Sequence, residues 1–95
     1  MILEVTTQAH QGHVLLYIIN SNGAKILTLP DSSTASCMLV PGNTYRLEWH
    51  LWSAQEADYH LQAKVTPKNA GFPPFDLQRR YKEAAQDFGG FYFTV

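Results

Sequence analysis

The chain divides into short runs of apolar and β-branched residues, which are separated by glycine, proline, asparagine and serine. This pattern predicts β-strands joined by turns. The clearest pair of runs is His13–Ile19 and Ala24–Leu29, with Asn22-Gly23 between them. We predict a β-hairpin here. Its Asn-Gly pair favours a two-residue type I′ turn, because both central residues of that turn need a positive φ.

The predicted hairpin carries apolar side chains on both of its faces. A two-residue turn would set Ile18 opposite Leu27 and Ile19 opposite Ile26. One face then holds Val14, Leu16, Ile18, Leu27 and Leu29, and the other holds Leu15, Tyr17, Ile19 and Ile26. Since both faces need cover, the second face is either packed inside the protein or forms an interface with a partner.

Four further runs predict strands. Ile2–Gln8 alternates loosely, and Thr34–Val40 is a short β-like run that begins after a proline-containing turn. Pro41-Gly42 suits the centre of a type II turn. The two runs that follow it, Tyr45–Trp52 and Tyr59–Thr66, alternate strictly between apolar and polar residues, as half-buried strands do.

We predict that these last two runs pair with each other. Two registers keep their apolar faces together, and charge decides between them. One register sets Leu51 opposite Leu61 and Glu48 opposite Lys64, whereas the other sets Arg46 against Lys64. We therefore predict the register with Leu51 opposite Leu61.

The last third of the chain predicts a helix and a final strand. Pro67–Pro74 is a connection rich in proline, glycine and asparagine, and Asp76 can cap a helix over Leu77–Phe88. Gly89-Gly90 can end that helix, and Phe91–Val95 is aromatic and β-branched enough for a strand. The apolar stripe of the predicted helix consists of Leu77, Tyr81, Ala84, Ala85 and Phe88.

These elements predict a mostly β fold in a single domain spanning residues 1–95. We expect a two-layer antiparallel β-sandwich of six or seven strands, with one short amphipathic helix near the C-terminus. The alternative is an α+β fold, in which a single antiparallel sheet has the helix packed on one face. In that alternative the helix would cover Leu15, Tyr17 and Ile19.

The segment Leu39–Tyr45 followed by alternating apolar residues resembles the L-x-P-G-x-x-Y corner of fibronectin type III and related immunoglobulin-like β-sandwiches. The resemblance covers about thirty residues, from Thr34 to Thr66. It implies that the Tyr45 hydroxyl hydrogen-bonds to backbone upstream of it. Because such domains mostly mediate binding, the resemblance implies a recognition function without identifying a ligand.

Composition narrows the classes of partner. The 95 residues carry a net charge of −1 and only 16% charged residues, so we expect no binding to nucleic acid. No apolar run approaches the roughly 20 residues of a membrane span, and we expect no membrane association. The N-terminal residues lack a signal-peptide pattern, so we expect a soluble, cytoplasmic protein by default, with signal-less export left open. The single cysteine, Cys37, lies in an apolar segment and is expected to be buried.

Four histidines offer the only candidate catalytic or metal chemistry. His10 and His13 form an H-x-x-H pair that could share a metal if His50 or His60 came near. The pair has no accompanying carboxylate, and no serine lies in a nucleophile-elbow pattern. We expect no bound metal or cofactor and no enzymatic activity. A small metal-dependent or histidine-based hydrolase remains the alternative.

Aromatic and hydrogen-bonding residues meet on the outward face of the two strictly alternating strands. This predicted binding platform consists of Trp52, His50, His60, Arg46 and Glu48. An exposed tryptophan among polar groups suits a peptide or a sugar, because stacking supplies affinity and the polar groups supply orientation. A possible protein interface consists of Leu15, Tyr17 and Ile19. We predict a non-catalytic recognition or protein-interaction module, in its simplest form a self-associating one, with carbohydrate binding as a further alternative.

Overall fold

The computed structural model of the protein describes all 95 residues, which form eight β-strands and no helix. The strands are β1 (Ile2–His10), β2 (His13–Ile19), β3 (Lys25–Leu29), β4 (Thr34–Met38), β5 (Thr44–Ser53), β6 (Ala57–Thr66), β7 (Phe75–Tyr81) and β8 (Ala85–Thr94). They form two antiparallel sheets, sheet A with the order β4-β1-β6-β7 and sheet B with the order β3-β2-β5-β8. The fold thus contains no helix that is long and apolar enough to span a bilayer.

The two sheets enclose one hydrophobic core. Along each central strand, buried residues alternate with more exposed ones, so that one face of each sheet points inward. Leu3 and Leu61 of sheet A meet Leu16, Ile18 and Leu47 of sheet B in this core, and all five are fully buried. The alternation in the sequence therefore arises because every strand has one side in the core and one side at the surface.

Most connections in the chain cross from one sheet to the other. Only β2–β3 and β6–β7 are hairpins, because every other pair of consecutive strands lies in opposite sheets. The predicted pairing of β5 with β6 is therefore wrong, since β5 pairs with β2 and β8, and β6 pairs with β1 and β7. Residues 54–56 are enough to span the roughly 10 Å between packed sheets. Leu51 and Leu61 both reach the core, but from opposite layers.

The predicted helix over residues 77–88 is also wrong. These residues form most of β7, a short turn and the beginning of β8, which raises the strand count to eight instead of six or seven. The alternative of a single sheet covered by a helix is excluded by the same observation. The segment has a second periodicity, because Phe75, Leu77 and Tyr81 are half-buried with more exposed residues between them. Pairing with β6, which sets Leu77 opposite Leu61, selects the strand.

Gly89 and Gly90 lie in the middle of β8 and do not end a helix. A Cβ atom at Gly89 would lie 2.5 Å from Cζ2 of Trp49, whose indole packs against the inner side of the strand. On the outer side, a Cβ at Gly90 would lie 2.5 Å from the Leu47 carbonyl oxygen and 3.0 Å from the Arg46 guanidinium. The two glycines are therefore required by close packing on both faces of the strand.

The hairpin turn between β2 and β3 differs from the predicted type I′ turn. Only Gly23 has a positive φ, and its NH donates to the Asn20 carbonyl at 3.0 Å. The Asn20 NH donates to the Ala24 carbonyl at 2.9 Å, which closes a three-residue loop of the kind built from a type I turn and a glycine bulge. The predicted pair Ile18 with Leu27 is confirmed. The extra loop residue shifts the next pair, so that Ile19 faces Lys25 and not Ile26, as the prediction had it.

The predicted tyrosine corner is confirmed. Gly42 has a φ of 90°, as the third position of a type II turn requires, and the Asn43 NH donates to the Val40 carbonyl at 3.1 Å. The Tyr45 hydroxyl accepts a hydrogen bond from the Val40 NH at 2.9 Å. The Tyr45 ring stacks on Phe93 with centroids 5.8 Å apart. The corner thus joins the turn before β5 to the C-terminal strand.

Candidate binding surface

Four of the five predicted platform residues lie in one line on the outer side of β5, a central strand of sheet B. Because side chains alternate between the two sides of a strand, every second residue of β5 points away from the core. The outward residues of this line are Arg46, Glu48, His50 and Trp52. Because β5 has strand neighbours on both sides, the line runs through the middle of the sheet face.

The predicted interface lies directly beside this line. The register of β2 with β5 sets Leu15 opposite His50 and Tyr17 opposite Glu48, and it sets Ile19 opposite Arg46. Leu15, Tyr17 and Ile19 are half-buried, and no other part of the chain packs over them as a second layer. The predicted platform, without His60, and the predicted interface are therefore parts of one continuous surface. We call this outer side of sheet B the aromatic face.

Two residues of the aromatic face were not predicted from the sequence. Phe88 and Tyr92 project from β8 beside His50 and Arg46, and their side chains are 75% and 72% exposed. Phe88 was assigned to the buried stripe of the predicted helix. Tyr92 was assigned to the predicted final strand, but not to the inner or the outer face of a sheet. The alternation from residue 88 to residue 93 was the signal that could have found them, because it separates Phe88 and Tyr92 from Phe91 and Phe93.

The rings of the aromatic face touch one another and are held in place. The His50 ring stacks on Phe88 with centroids 6.1 Å apart, and it meets Tyr17 edge-on at 6.2 Å. The Arg46 guanidinium lies 4.9 Å from the centroid of Tyr92. The Lys25 ammonium lies 4.2 Å from the centroid of Tyr17. Such cation–π contacts keep charged groups on the face while leaving the ring edges accessible.

The polar groups of the aromatic face are few and mostly paired. Arg46 Nε lies 3.6 Å from Glu48 Oε1. Trp52, which is 39% exposed, packs at 5.5 Å against His13, and the Nδ1 atom of His13 lies 2.7 Å from Asp31 Oδ2. The face therefore offers a largely apolar surface with a small number of oriented charges.

His60 belongs to a different surface. It lies on β6 in sheet A, where its Nε2 atom is 2.6 Å from Asp76 Oδ1. The sandwich therefore separates His60 from the rest of the predicted platform, because β5 and β6 lie in opposite sheets.

The outer side of sheet A forms a shallow polar cleft of about 850 Å³. The floor of the cleft consists of two rows of three side chains. One row contains Gln8, His60 and Gln78, and the other contains His10, Asp58 and Arg80. Arg80 is paired with Glu56 at 3.3 Å and with Asp58 at 3.5 Å. Gln8, Gln78 and His10 make no side-chain hydrogen bond within the protein through their own polar atoms. They can therefore donate to or accept from a polar ligand.

The structure divides the four candidate catalytic or metal-binding histidines between the two faces. His10 and His60 lie in the cleft on sheet A, whereas His13 and His50 lie on the aromatic face. No group of three or more histidine, cysteine, aspartate or glutamate side chains is arranged to hold a metal ion. Cys37 is half-buried on the inner side of β4, and burial raises the pKa of its thiol above the ordinary value.

The aromatic face and the polar cleft are thus the two candidate binding surfaces of the protein. Comparison with protein families, curated proteins and solved structures found no match to this chain.

Proposed function

We propose that the protein is a non-catalytic interaction module that binds a protein partner through the aromatic face. The observation that carries this proposal is the exposure of Phe88 and Tyr92 next to the Arg46–Trp52 line. Large exposed apolar groups that cluster on one face mark interaction sites, whereas single exposed ones are common on any protein. The aromatic face clusters them across three neighbouring strands.

The residue types of the face support a protein partner. Tryptophan, tyrosine, phenylalanine and arginine are enriched at the centres of protein interfaces, where they account for most of the binding energy. On the aromatic face these types are Trp52, Tyr17, Phe88, Tyr92 and Arg46. Their contacts with neighbouring side chains, such as those of Phe88 and Tyr17 with His50, limit the side-chain freedom that binding would have to remove, which favours affinity.

The resemblance to immunoglobulin-like domains supports the same class of function by analogy. The two antiparallel sheets and the Tyr45 corner are features that such domains share. The connectivity differs, because the first two strands of an immunoglobulin constant-type domain share a sheet, whereas β1 and β2 lie in opposite sheets here. The analogy therefore extends to a recognition role and not to a particular partner.

A capture experiment with matched variants tests the proposal. The protein would be immobilised and exposed to an extract of the cells that produce it, beside the Tyr17→Ser variant and the control Gln62→Ser. Gln62 is exposed on the outer side of sheet A, so its replacement leaves the aromatic face intact. We expect the control to capture the same proteins as the wild type. The amount captured by Tyr17→Ser should be at least tenfold lower. Equal capture by all three would contradict the proposal.

Carbohydrate binding is a second candidate function, and the polar cleft on sheet A favours it more than Trp52 does. Gln8, Gln78 and His10 offer unpaired donors and acceptors in a shallow cleft, which suits the hydroxyl groups of a sugar. A glycan array probed with the wild type and with Gln78→Ala tests this candidate. We expect a defined set of glycans to bind and to be lost in the variant. An array without bound glycans would contradict it.

A further inference from the structure

Strand β8 is a long sheet edge with little of the usual protection against pairing. It has ten residues and pairs only with β5, whereas the edge strands β3 and β4 have five residues each. Natural edges are blocked by short length, by charged residues, by proline or by a bulge. Residues 88–94 contain no charge and no proline, and their register with β5 is continuous. This stretch can therefore accept another strand.

The free hydrogen-bonding groups of this edge can be assigned. The Val95 NH donates to the Asn43 carbonyl at 3.3 Å, and these two residues extend the β5–β8 register one step beyond the pair Thr44 with Thr94. In an antiparallel pair, every second residue bonds to the neighbouring strand and the residues between them point the other way. The carbonyl groups of Phe88, Gly90 and Tyr92 and the NH groups of Gly90 and Tyr92 therefore point toward the open edge. The Phe88 NH points the same way but donates to Asp87 Oδ1 at 2.9 Å, and pairing with another strand would replace this bond.

The end of the edge near Thr94 is closed by another part of the chain. Gly71 lies so close to the Thr94 carbonyl oxygen that a Cβ atom at residue 71 would clash with it. The open stretch is therefore centred on Gly90, with Phe88 and Tyr92 at equal distances on either side. A stretch of this kind is compatible with pairing to an identical, antiparallel copy of itself.

We propose that a second copy of this chain pairs with β8, so that the two β8 strands run antiparallel with Gly90 on the two-fold axis. The proposal deepens the proposed function, because it rests on the aromatic face being an interaction surface and names one partner for its outer margin. The pairing sets Phe88 opposite the partner's Tyr92, and Tyr92 opposite the partner's Phe88. Sheet B then continues across the axis as one eight-stranded sheet. The two β8 strands pair over residues 88–92 only, because Gly71 closes the edge at Thr94.

Side chains select this register over one of its two neighbours, and Gly71 blocks the other, which would set Phe88 opposite the partner's Thr94. With Gly90 on the axis, the outer face gains two cross-strand aromatic pairs, and aromatic pairs are among the most favourable in antiparallel sheets. A register shifted by two residues sets Phe88 opposite the partner's Gly90, and it sets Tyr92 opposite the partner's Gln86. That register contains no aromatic pair. The shifted pairing satisfies the backbone but loses the contacts between rings.

The size of this contact predicts a weak, reversible dimer. Phe88 and Tyr92 stay on the outer face of the extended sheet, so each ring buries only the side that meets its cross-strand neighbour. This is less than the roughly 150 Å² or more of a fully buried aromatic side chain. The contact therefore lies below the size of about 1,000–1,200 Å² that specific interfaces reach, and we expect the dimer to dissociate on dilution.

Analytical ultracentrifugation of the full chain from about 1 µM to several hundred micromolar tests the dimer, which should populate at the high concentrations and dissociate at the low ones. Phe88→Lys should weaken dimerisation at least tenfold, because a charge on an edge strand blocks pairing. Met38→Lys is the matched control, since Met38 is 68% exposed on the edge strand β4 of sheet A. A wild type that stays monomeric, equal effects of both variants, or species that grow beyond a dimer would overturn the proposal.

Spin-label distances test the register. Gln86→Cys and Thr94→Cys, each in a Cys37→Ser background, would be labelled and measured by pulsed electron paramagnetic resonance. Residues 86 and 94 are equidistant from Gly90, so both backbone separations between copies should be about 27 Å at 3.4 Å per residue. The shifted register instead makes them differ by about 14 Å. Unequal distances would overturn the pairing.

The two proposals can fail separately. Tyr17 lies on β2, away from the β8 edge, so Tyr17→Ser should reduce capture without changing dimerisation. If the wild type captures a partner but remains monomeric, only the dimer proposal fails. If it dimerises but Tyr17→Ser captures the same proteins as the wild type, only the proposed function fails.

Discussion

Replacement of Tyr45 by phenylalanine should destabilise the protein through one hydrogen bond. Tyr45 is 5% exposed, and its hydroxyl is the acceptor for the Val40 NH at 2.9 Å. Phenylalanine keeps the ring and its stacking on Phe93, so the variant removes the acceptor and little else. The Val40 NH then loses its only partner within the protein.

The expected cost follows from that lost partner. A partly buried donor that loses its acceptor costs about 1–2 kcal/mol. For a domain of this size, 1 kcal/mol lowers the melting temperature by about 4–8 °C. A loss near 1.5 kcal/mol therefore predicts a melting temperature about 6–12 °C below that of the wild type.

Urea denaturation followed by tryptophan fluorescence measures this change, because Trp49 lies in the core and reports on its loss. Tyr17→Phe is the matched control, since the Tyr17 hydroxyl makes no hydrogen bond within the protein. We expect the control to lie within about 0.5 kcal/mol of the wild type, as surface substitutions usually do. A Tyr45→Phe variant as stable as the control would refute the role assigned to the corner.

Three further predictions concern the core and the β7–β8 connection. Gly89→Ala should lose about 1–3 kcal/mol, because its Cβ would lie 2.5 Å from Trp49 Cζ2; unchanged stability and fluorescence would contradict the close packing. Leu61→Ala should lose about 2–5 kcal/mol in the same urea assay, since Leu61 is fully buried, and a smaller loss would indicate a core that collapses around the cavity. Burial and the hydrogen bond to Asp87 raise the pKa of Tyr81 to about 12 from the ordinary 10. The stability that the neutral Tyr81 contributes is therefore complete below pH 10 and is lost as the pH rises from 10 to 12, so Tyr81→Phe should flatten this alkaline decline.

Local patterns were sufficient to predict most strands. The predicted bounds His13–Ile19 match β2, and Tyr45–Trp52 falls within β5. These runs alternate with a period of two and are flanked by turn residues, so that neighbouring residues alone specify a strand. The corner at Tyr45 was equally local, because its turn and its acceptor lie within six residues.

The choice of partner strand was not encoded locally. β5 and β6 each have one apolar side, and those sides can lie together in a hairpin or face each other across a core. Charge pairs such as Glu48 with Lys64 favoured a β5–β6 hairpin in the sequence prediction. Long-range packing instead selected a connection that crosses from one sheet to the other. Residues 77–88 were ambiguous for a similar reason, because their apolar positions fit both a helical and a strand period, and pairing with β6 decided between them.

The wrong strand pairing and the wrong helix together explain what was missed at the candidate site. His60 was grouped with Trp52 because β5 and β6 were expected to share a sheet. Phe88 was placed on a buried helical stripe, although it is among the most exposed apolar residues of the protein. The line from Arg46 to Trp52 depended only on alternation within one strand, and it remained together.

The connections that cross between the sheets also determine when the protein can fold during synthesis. β1 pairs with β6 from Ile2 opposite Thr66 to His10 opposite Asp58, so β1 gains this neighbour only after the residues up to 66 have been made. Sheet B receives β8 last, and until then Trp49 lacks the strand that packs against it. Folds dominated by such distant pairings reach the native state in milliseconds to seconds. The nascent chain therefore emerges with its largest core side chain exposed, and the final ten-residue strand completes the native structure.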